Sequence, residues 1–522
     1  MSLICGQDRQ QIQLLCWDQF IDSENPVRLI DAFVDYFDLA QLGFIPRGVH
    51  LDGRPAFANS ALLKLYIYGY LNRIRSSRQL AKACCCNVEL FWLLQQVQPG
   101  YKTIANFRKD NQKGLRQLFI HFNHFLKGEG LFQTDTVAID SVKIAAQNAK
   151  KNNYNIRKVK QHLDYIEAQT QGYLAQLDQE DEQEDLADSN WEIAQRLDEL
   201  AQRQQKYIQL AEQLKQARLA GETQLSSTDP DARALPKKMN IVAVAYNVQT
   251  SVEADHKLIA GCEVTNKGDT NALSSIAIKT KRFLGHPSIR VLADKGYDTG
   301  VELKKCAEQN ILTYVSPRQK DTSNKAAGFK KEDFVYQHDE DLYICPAGKA
   351  LRSNGNWYNK SNNIERASYR VKVYKLPFHI CNACPDKLSC AGAANLKNSK
   401  GRPIERSEYE PYLEDNRDRV RLNKELYKKR QQIVEHPFGT IKRQWGYDYT
   451  LLKTMTKVEA EVNLIFTCYN LRRAMSIFGI PELISRLKTA FLALLELRAT
   501  LMTPGPAIGY SCQEQSERRI AA

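Results

Sequence analysis

Two short β-branched runs, each closed by an aspartate, constrain this chain more than any other feature: TVAID ends at Asp140 and IRVLAD at Asp294. Apolar strands of this kind belong in a sheet covered on both faces, and open α/β sheets gather their ligands at the carboxyl ends of strands. Asp140 follows Val137, Ala138 and Ile139, and Asp294 follows Val291 and Leu292. Both acids are therefore expected at the ligand-binding edge, with Asp135 at the opposite one. Around Asp294 the segments NALSSIAIKTKRFL, IRVLAD, GVELKKCAEQN and ILTYVSP alternate helix and strand. Before them, IVAVAYNVQTSVEA and LIAGCEVTN read as adjacent strands of a meander. The expected fold class is α/β, a mixed sheet with parallel neighbours.

Other stretches interrupt or flank this core. Residues 1–130 read as an all-helical domain, with Leu62, Leu63, Tyr66, Ile67 and Tyr70 on one helical face and the serines of RSSRQLAKA placed to cap the next helix. Arg75, Arg78, Arg108 and Lys109 among short helices fit a helix-turn-helix DNA-binding unit, and fit an ordinary bundle equally well. The core is expected over 131–154 and 226–317. Between these, Val159, Leu163, Ile166, Tyr173 and Leu177, then Ile193, Leu197, Leu200, Tyr207 and Leu214, step by threes and fours. They predict an antiparallel coiled-coil insert over 155–225, turning at the acidic run Asp178 to Asp188. A polar, cysteine-containing insert spans 318–410, helices returning to the core span 411–487, and the tail 488–522 is partly disordered by composition.

The 73 Lys and Arg outnumber the 60 Asp and Glu, and the acidic run leaves the remainder more basic still, which favours a polyanionic partner. Charge alone suits many soluble proteins as well. MSLICGQDRQ has neither an apolar signal core nor an arginine-rich leader, and no run is long enough to cross a membrane, so a cytoplasmic protein is expected. Thirteen cysteines in a chain of this size argue for reduced thiols and against a secreted disulfide framework.

The chemistry suggested is that of hard cations. Mg²⁺ is commonly held by one or two carboxylates together with substrate phosphate oxygens, and a two-metal pair serves in-line displacement at phosphorus. Asp140 and Asp294, with Glu435 from QQIVEHPFGTIKRQWG, would suffice. Asp298 competes with Asp294, but its simpler role is a helix cap. Glu435 and Lys442 lie two helical turns apart, with Pro437 between them predicting a kink or a fresh helix start. Trp445 and Tyr447 suit either base stacking or core packing. Cys345, Cys381, Cys384 and Cys390 form C-x35-C-x2-C-x5-C, a candidate zinc site in an insert too polar to build its own core, with His379 as a substitute ligand and free thiols as the alternative. No Ser/His/Asp arrangement stands out, and GDTNAL does not make a phosphate-cradling loop.

TVAIDS, VLADKGYD and YKKRQQIVEHPFGTIKRQWG, in that order, resemble the three acidic motifs of bacterial insertion-sequence DDE transposases. GRPAFANSALLKLYIYGYLNRIRSSRQLAKA through TIANFRKDN resembles the N-terminal domain of that group. The coiled insert, CPAGKAL and CNACPDKLSC point to the family called insertion sequence eleven-eighty-two. The resemblance implies an RNase-H-like core and an enzyme that cleaves and transfers DNA strands. It implies Asp140, Asp294 and Glu435 as ligands of two Mg²⁺ ions, with Mn²⁺ able to substitute. Tyr427, Arg430 and Lys442 match the residues that accompany the glutamate, although the interval from Arg430 to Glu435 is one residue longer than in the best-known form. Arg443, Arg75 and Arg78 join them as candidate DNA contacts. The implied partners are double-stranded element ends and target, held by a dimer or larger assembly. A DNA-binding protein without catalysis and a general metal-dependent nuclease are the alternatives.

Overall fold

The computed structural model describes residues 16–46, 56–181, 187–219, 221–236, 241–318, 329–360, 368–387, 390 and 401–502. The chain divides into one unit of Met1–Leu118 with Asn470–Ala522, and a second of Phe119–Tyr469.

The first unit is helical, with helices Pro26–Tyr36, Asn59–Leu71, Ser77–Ala83, Val88–Leu93 and Tyr101–Asp110. Asn25 caps the first through a bond from the Val27 amide, with Pro26 at the first helical position. The Asn59–Leu71 helix differs from the single apolar face expected of it. Leu65 and Tyr68 are buried as well as Leu62, Leu63, Tyr66, Ile67 and Tyr70, so its neighbours surround it. Ser76 stands at the N-cap of Ser77–Ala83 but its side chain makes no capping bond. From the other end of the chain, Ile480–Met502 packs on Pro26–Tyr36 and buries Leu483 and Leu487. The remainder of the expected disordered tail, 503–522, lies outside the described residues.

The second unit is mixed α/β. Its central sheet runs β4 (Arg233–Pro236), β5 (Val242–Glu253), β1 (Thr136–Ala145), β7 (Ile289–Ala293), β8 (Ile311–Val315), with β6 (Ile259–Thr265) also paired to β5. β1 is antiparallel to β5 and parallel to β7, which is parallel to β8. The parallel part needs crossovers, supplied by helices Leu273–Leu284 and Gly300–Glu308. Gly285, at φ 74°, closes the former in the left-handed conformation that glycine adopts without steric penalty. Val137, Ala138 and Ile139 on β1 and Val291, Leu292 and Ala293 on β7 are fully buried, as strands covered on both faces require.

Helices Ile156–Asp181 and Ala187–Leu219 form a hairpin inserted after β1. At its base Tyr154, Val159, Leu210 and Leu214 cluster, and Asn153–Tyr154 pairs with Leu225–Ser226. Part of the acidic run, 182–186, lies outside the described residues. A second sheet, β9 to β14 (Val335–Gln337, Leu342–Ile344, Ala350–Ser353, Tyr358–Lys360, Tyr369–Lys375, Ile404–Ser407), occupies the cysteine-containing segment. This corrects the expectation that the segment cannot build a core. Phe334, Tyr343, Leu351, Tyr374 and Ile404 are buried together, because aromatic rings bring apolar area into a stretch whose composition is polar.

Candidate active site

The ladder between β1 and β7 places the two aspartates. Ile139 pairs with Ala293, so Asp140 and Asp294 follow the last rung of the parallel ladder side by side. Asp294 stands just past the end of β7, but Asp140 is not the strand-end residue expected, because β1 runs on to Ala145 paired with β5. Asp135 stands at the other end, in an ion pair with Arg290 at 2.6 Å. The Ser141 amide donates to Asp140 Oδ1 at 2.8 Å, and Arg430 reaches Asp140 Oδ2 at 3.4 Å. Burial pushes the Asp140 carboxyl up to about 6, the Ser141 amide and Arg430 oppose the shift, and the Asp294 and Asp269 carboxylates add to it.

Asp294 caps the single turn Lys295–Tyr297 by accepting from the Gly296 amide at 2.7 Å. A Cβ at Gly296 would stand 2.8 Å from Asp294 Oδ1, so glycine is what lets the carboxylate fold back over the turn. Asp298 is not the cap expected of it. Thr299 holds that position, while Asp298 accepts from the Arg318 amide at 2.8 Å and burial raises its pKa.

Asp269 was not singled out from the sequence. Its Oδ1 accepts from Asn247 at 2.7 Å and from Gln249 at 2.9 Å, both amides buried on β5. Tyr297 donates to Gln249 Oε1 at 2.5 Å, and burial, then the Asp269 and Asp140 carboxylates, drive its hydroxyl well above the usual phenol range. The available signal was Asn-x-Gln on an otherwise apolar strand, since paired amides there need a buried partner.

Glu435 comes from helix Lys424–Phe438, which crosses β1, β5 and β7. On its sheet-facing side Tyr427 donates to the Ala293 carbonyl at 3.3 Å, next to Asp294, and Arg430 meets Asp140. Ile433, Val434 and Pro437 are buried, whereas Glu435 is exposed and accepts from Gln431 at 2.8 Å. His436 anchors the same turn. Its Nδ1 lies 2.7 Å from the Tyr469 hydroxyl, which itself donates to the Lys257 carbonyl, so Nδ1 carries the proton in this bond.

Pro437 does not restart the helix. The helix runs through to Phe438 and continues as a π-helical stretch, Gly439–Gln444, because Pro437 removes one donor and the next turn widens to recover partners. The wider turn displaces Lys442 from the simple two-turn relation to Glu435. Lys442 and Arg443 are exposed on it, while Trp445 and Tyr447 are buried with ring centroids 5.5 Å apart. In the helical unit Arg75 is buried at 6% exposure and so belongs to the core, whereas Arg78 is exposed with its guanidinium 5.4 Å from the Tyr101 ring.

Asp140 and Asp294 are thus neighbours, with Asp269 behind them. Among the described residues no group of three His, Cys, Asp or Glu side chains is gathered as a metal site. Cys345, Cys381, Cys384 and Cys390 do line one cavity together, without His379.

Residues 15–110 match a family described as transposase domain (DUF772), and residues 344–475 match one described as transposase DDE domain. The chain is a DDE transposase by these domains. The second match carries Tyr427, Arg430, Glu435, Lys442, Arg443 and the four cysteines of the insert, and the first carries Arg75 and Arg78. Asp140 and Asp294 lie outside both. No curated protein matches the transposase significantly. A cryo-EM structure titled piggyBac transposase synaptic complex with hairpin DNA aligns with 94% of this chain and 84% of its own at 7% identity and a TM-score of 0.31, too low to carry an argument. No described helix is long and apolar enough to cross a membrane.

Proposed function

We propose that this transposase, of the insertion sequence eleven-eighty-two family, binds the inverted repeats at its element's ends, cuts DNA there and joins the ends to a target. The observation that carries the reading is the placing of Asp140 beside Asp294 where the parallel ladder between β1 and β7 stops, next to a helix belonging to the DDE domain. The central sheet then corresponds to an RNase-H-like core.

The donor chemistry suits Mg²⁺, or Mn²⁺ in its place: hard carboxylate oxygens, with Asp140 held where burial, and then the nearby carboxylates, resist its ionisation without a counter-charge. Asp140, Asp294 and Glu435 would hold two such ions, which when bound activate the attacking water or DNA 3′-hydroxyl and stabilise the leaving oxygen. Arg430 supplies part of that counter-charge to Asp140 and holds its carboxylate in place. Tyr427, by gripping the Ala293 carbonyl, fixes the helix against the strand that carries Asp294. Exposed Lys442 and Arg443 bind phosphates next to the cut, and Arg78 contacts the DNA backbone from the helical unit. Two ends must be brought together, so the working form is a dimer or larger assembly, acting on DNA in the bacterial cytoplasm.

The test is nicking and joining of DNA from the element's ends, with Mg²⁺ or Mn²⁺, by wild type, Asp140→Asn and Glu435→Gln. Metal-dependent cleavage by wild type alone is expected. Equal cleavage by all three would sink the proposal. Binding without cleavage by wild type would leave a DNA-binding protein, and cutting without joining or end preference a general nuclease.

A further inference from the structure

We infer that Cys345, Cys381, Cys384 and Cys390 bind one structural zinc ion that clamps the small sheet of the 318–410 insert, a site separate from the proposed catalytic carboxylates. The four come from separate stretches: Cys345 follows β10, Cys381 lies in the short helix Phe378–Asn382, and Cys384 and Cys390 lie beyond it. They nevertheless line a single cavity of about 40 Å³ beneath the Tyr343 and Tyr374 core, room for an ion rather than a substrate. All four are free thiols.

The backbone around them is arranged for sulfur that carries charge. The turn Cys345-Pro346-Ala347-Gly348-Lys349 closes with Gly348 at φ 73°, and the Lys349 amide donates to Cys345 Sγ at 3.3 Å. The Arg402 amide is turned toward the Cys381 sulfur. Position 401 is glycine where a Cβ would come within 2.8 Å of Cys381 Sγ. Backbone N–H groups aimed at sulfur are the outer hydrogen bonds that accompany metal-bound thiolates. Tetrathiolate zinc has a net charge of −2, and Lys349, Lys387 and Arg402 line the same cavity to offset it. Arg402 also donates to the Cys390 carbonyl at 3.2 Å, fixing the loop that brings the last cysteine in.

A physical need accompanies the geometry. Among the described residues the insert buries one small cluster around Phe334, Tyr343, Leu351, Tyr374 and Ile404, and units this small are commonly stapled by metal or disulfide.

The experiment measures metal content of the full chain purified under reducing conditions, then its spectrum after exchange with Co²⁺. About one zinc per chain is expected, together with the intense d–d and sulfur-to-metal bands of tetrahedral tetrathiolate cobalt. Cys381→Ser with Cys384→Ser should lose the metal at least about tenfold, while Cys85→Ser, on an exposed cysteine of the other unit, should retain it. Should the double variant fail to fold, the wild-type stoichiometry and cobalt spectrum still decide. Wild type without zinc and without a thiolate-cobalt spectrum after Co²⁺ addition overturns the proposal, as does undiminished zinc in a folded double variant.

Discussion

The sheet end and the helix laid across it hold their carboxylates in different ways. Asp140 and Asp294 are set by a parallel ladder of buried residues, and their side chains are further tied by the Ser141 and Gly296 amides. Glu435 is set by a helix that passes through a proline into a π-helical turn, and the side-chain partner holding it is Gln431. The ladder makes the aspartates a fixed platform. On the proposed reading, the exposed Glu435 beside the widened turn is the ligand that must come to the platform.

The largest expected effect tests that division from the helix side. Glu435→Gln should cut metal-dependent cleavage by about 10³-fold while leaving the melting temperature unchanged, because an exposed carboxylate contributes little to stability. Cleavage assays beside thermal melts check it, and a matching loss of stability would mean that Glu435 is structural.

The platform should show the opposite behaviour. The folded pKa of Asp140, about 6, lies above the ordinary carboxylate value, so the folded chain binds this proton more tightly than the unfolded chain does. Stability from this group is therefore present at low pH, falls as pH rises through the window up to about 6, and leaves a standing penalty above it. With 26% of the side chain still exposed, that penalty comes to about 1–2 kcal/mol. Asp140→Asn, without metal, should raise the melting temperature by a few degrees at about pH 7.5 and by little at about pH 4. Melts at both values decide, and destabilisation at the higher pH would contradict the cost of burying the Asp140 carboxylate.

Arg430→Ala joins the two regions, since it removes the link from helix to platform. Losing a cation that competes for Asp140 should lower the Mn²⁺ concentration giving half-maximal cleavage by about three-fold, while weakening DNA binding by a similar factor. Metal titrations and DNA-binding isotherms read the two effects separately. Smallest of all, Pro437→Ala should change stability by less than about 1 kcal/mol, because the π-helical stretch already accommodates the missing donor. A larger gain would show that the widened turn stores strain.

The same contrast explains what was legible in the sequence. A β-branched run ending in aspartate reads as a strand end, which puts Asp140 and Asp294 in one sheet. This holds for Asp294, while β1 runs on past Asp140, and that the two lie side by side follows only from the ladder register. Heptad spacing likewise describes the two hairpin helices. Asp269 was missed because Asn-x-Gln on β5 signals only that some buried partner is needed, and the turn Asp269–Asn271 that supplies it meets Asn247 and Gln249 only after β5 and β6 pair. Arg75 reads as a surface cation until neighbouring helices close over it, and the aromatic core of the insert is scattered among polar residues. Pro437 was read by the ordinary rule for helix interiors, which omits the option of a widened turn.

The central claim is that the neighbouring Asp140 and Asp294 bind the metal that cuts DNA, and changing their donor atom tests it most directly. Asp294→Cys substitutes soft sulfur for hard oxygen at one ligand. The account predicts a variant that still binds element-end DNA, loses cleavage in Mg²⁺, and regains it at least about tenfold in the more thiophilic Mn²⁺. Cleavage in Mg²⁺ as strong as that of wild type, or a loss equally deep in both metals, would contradict it.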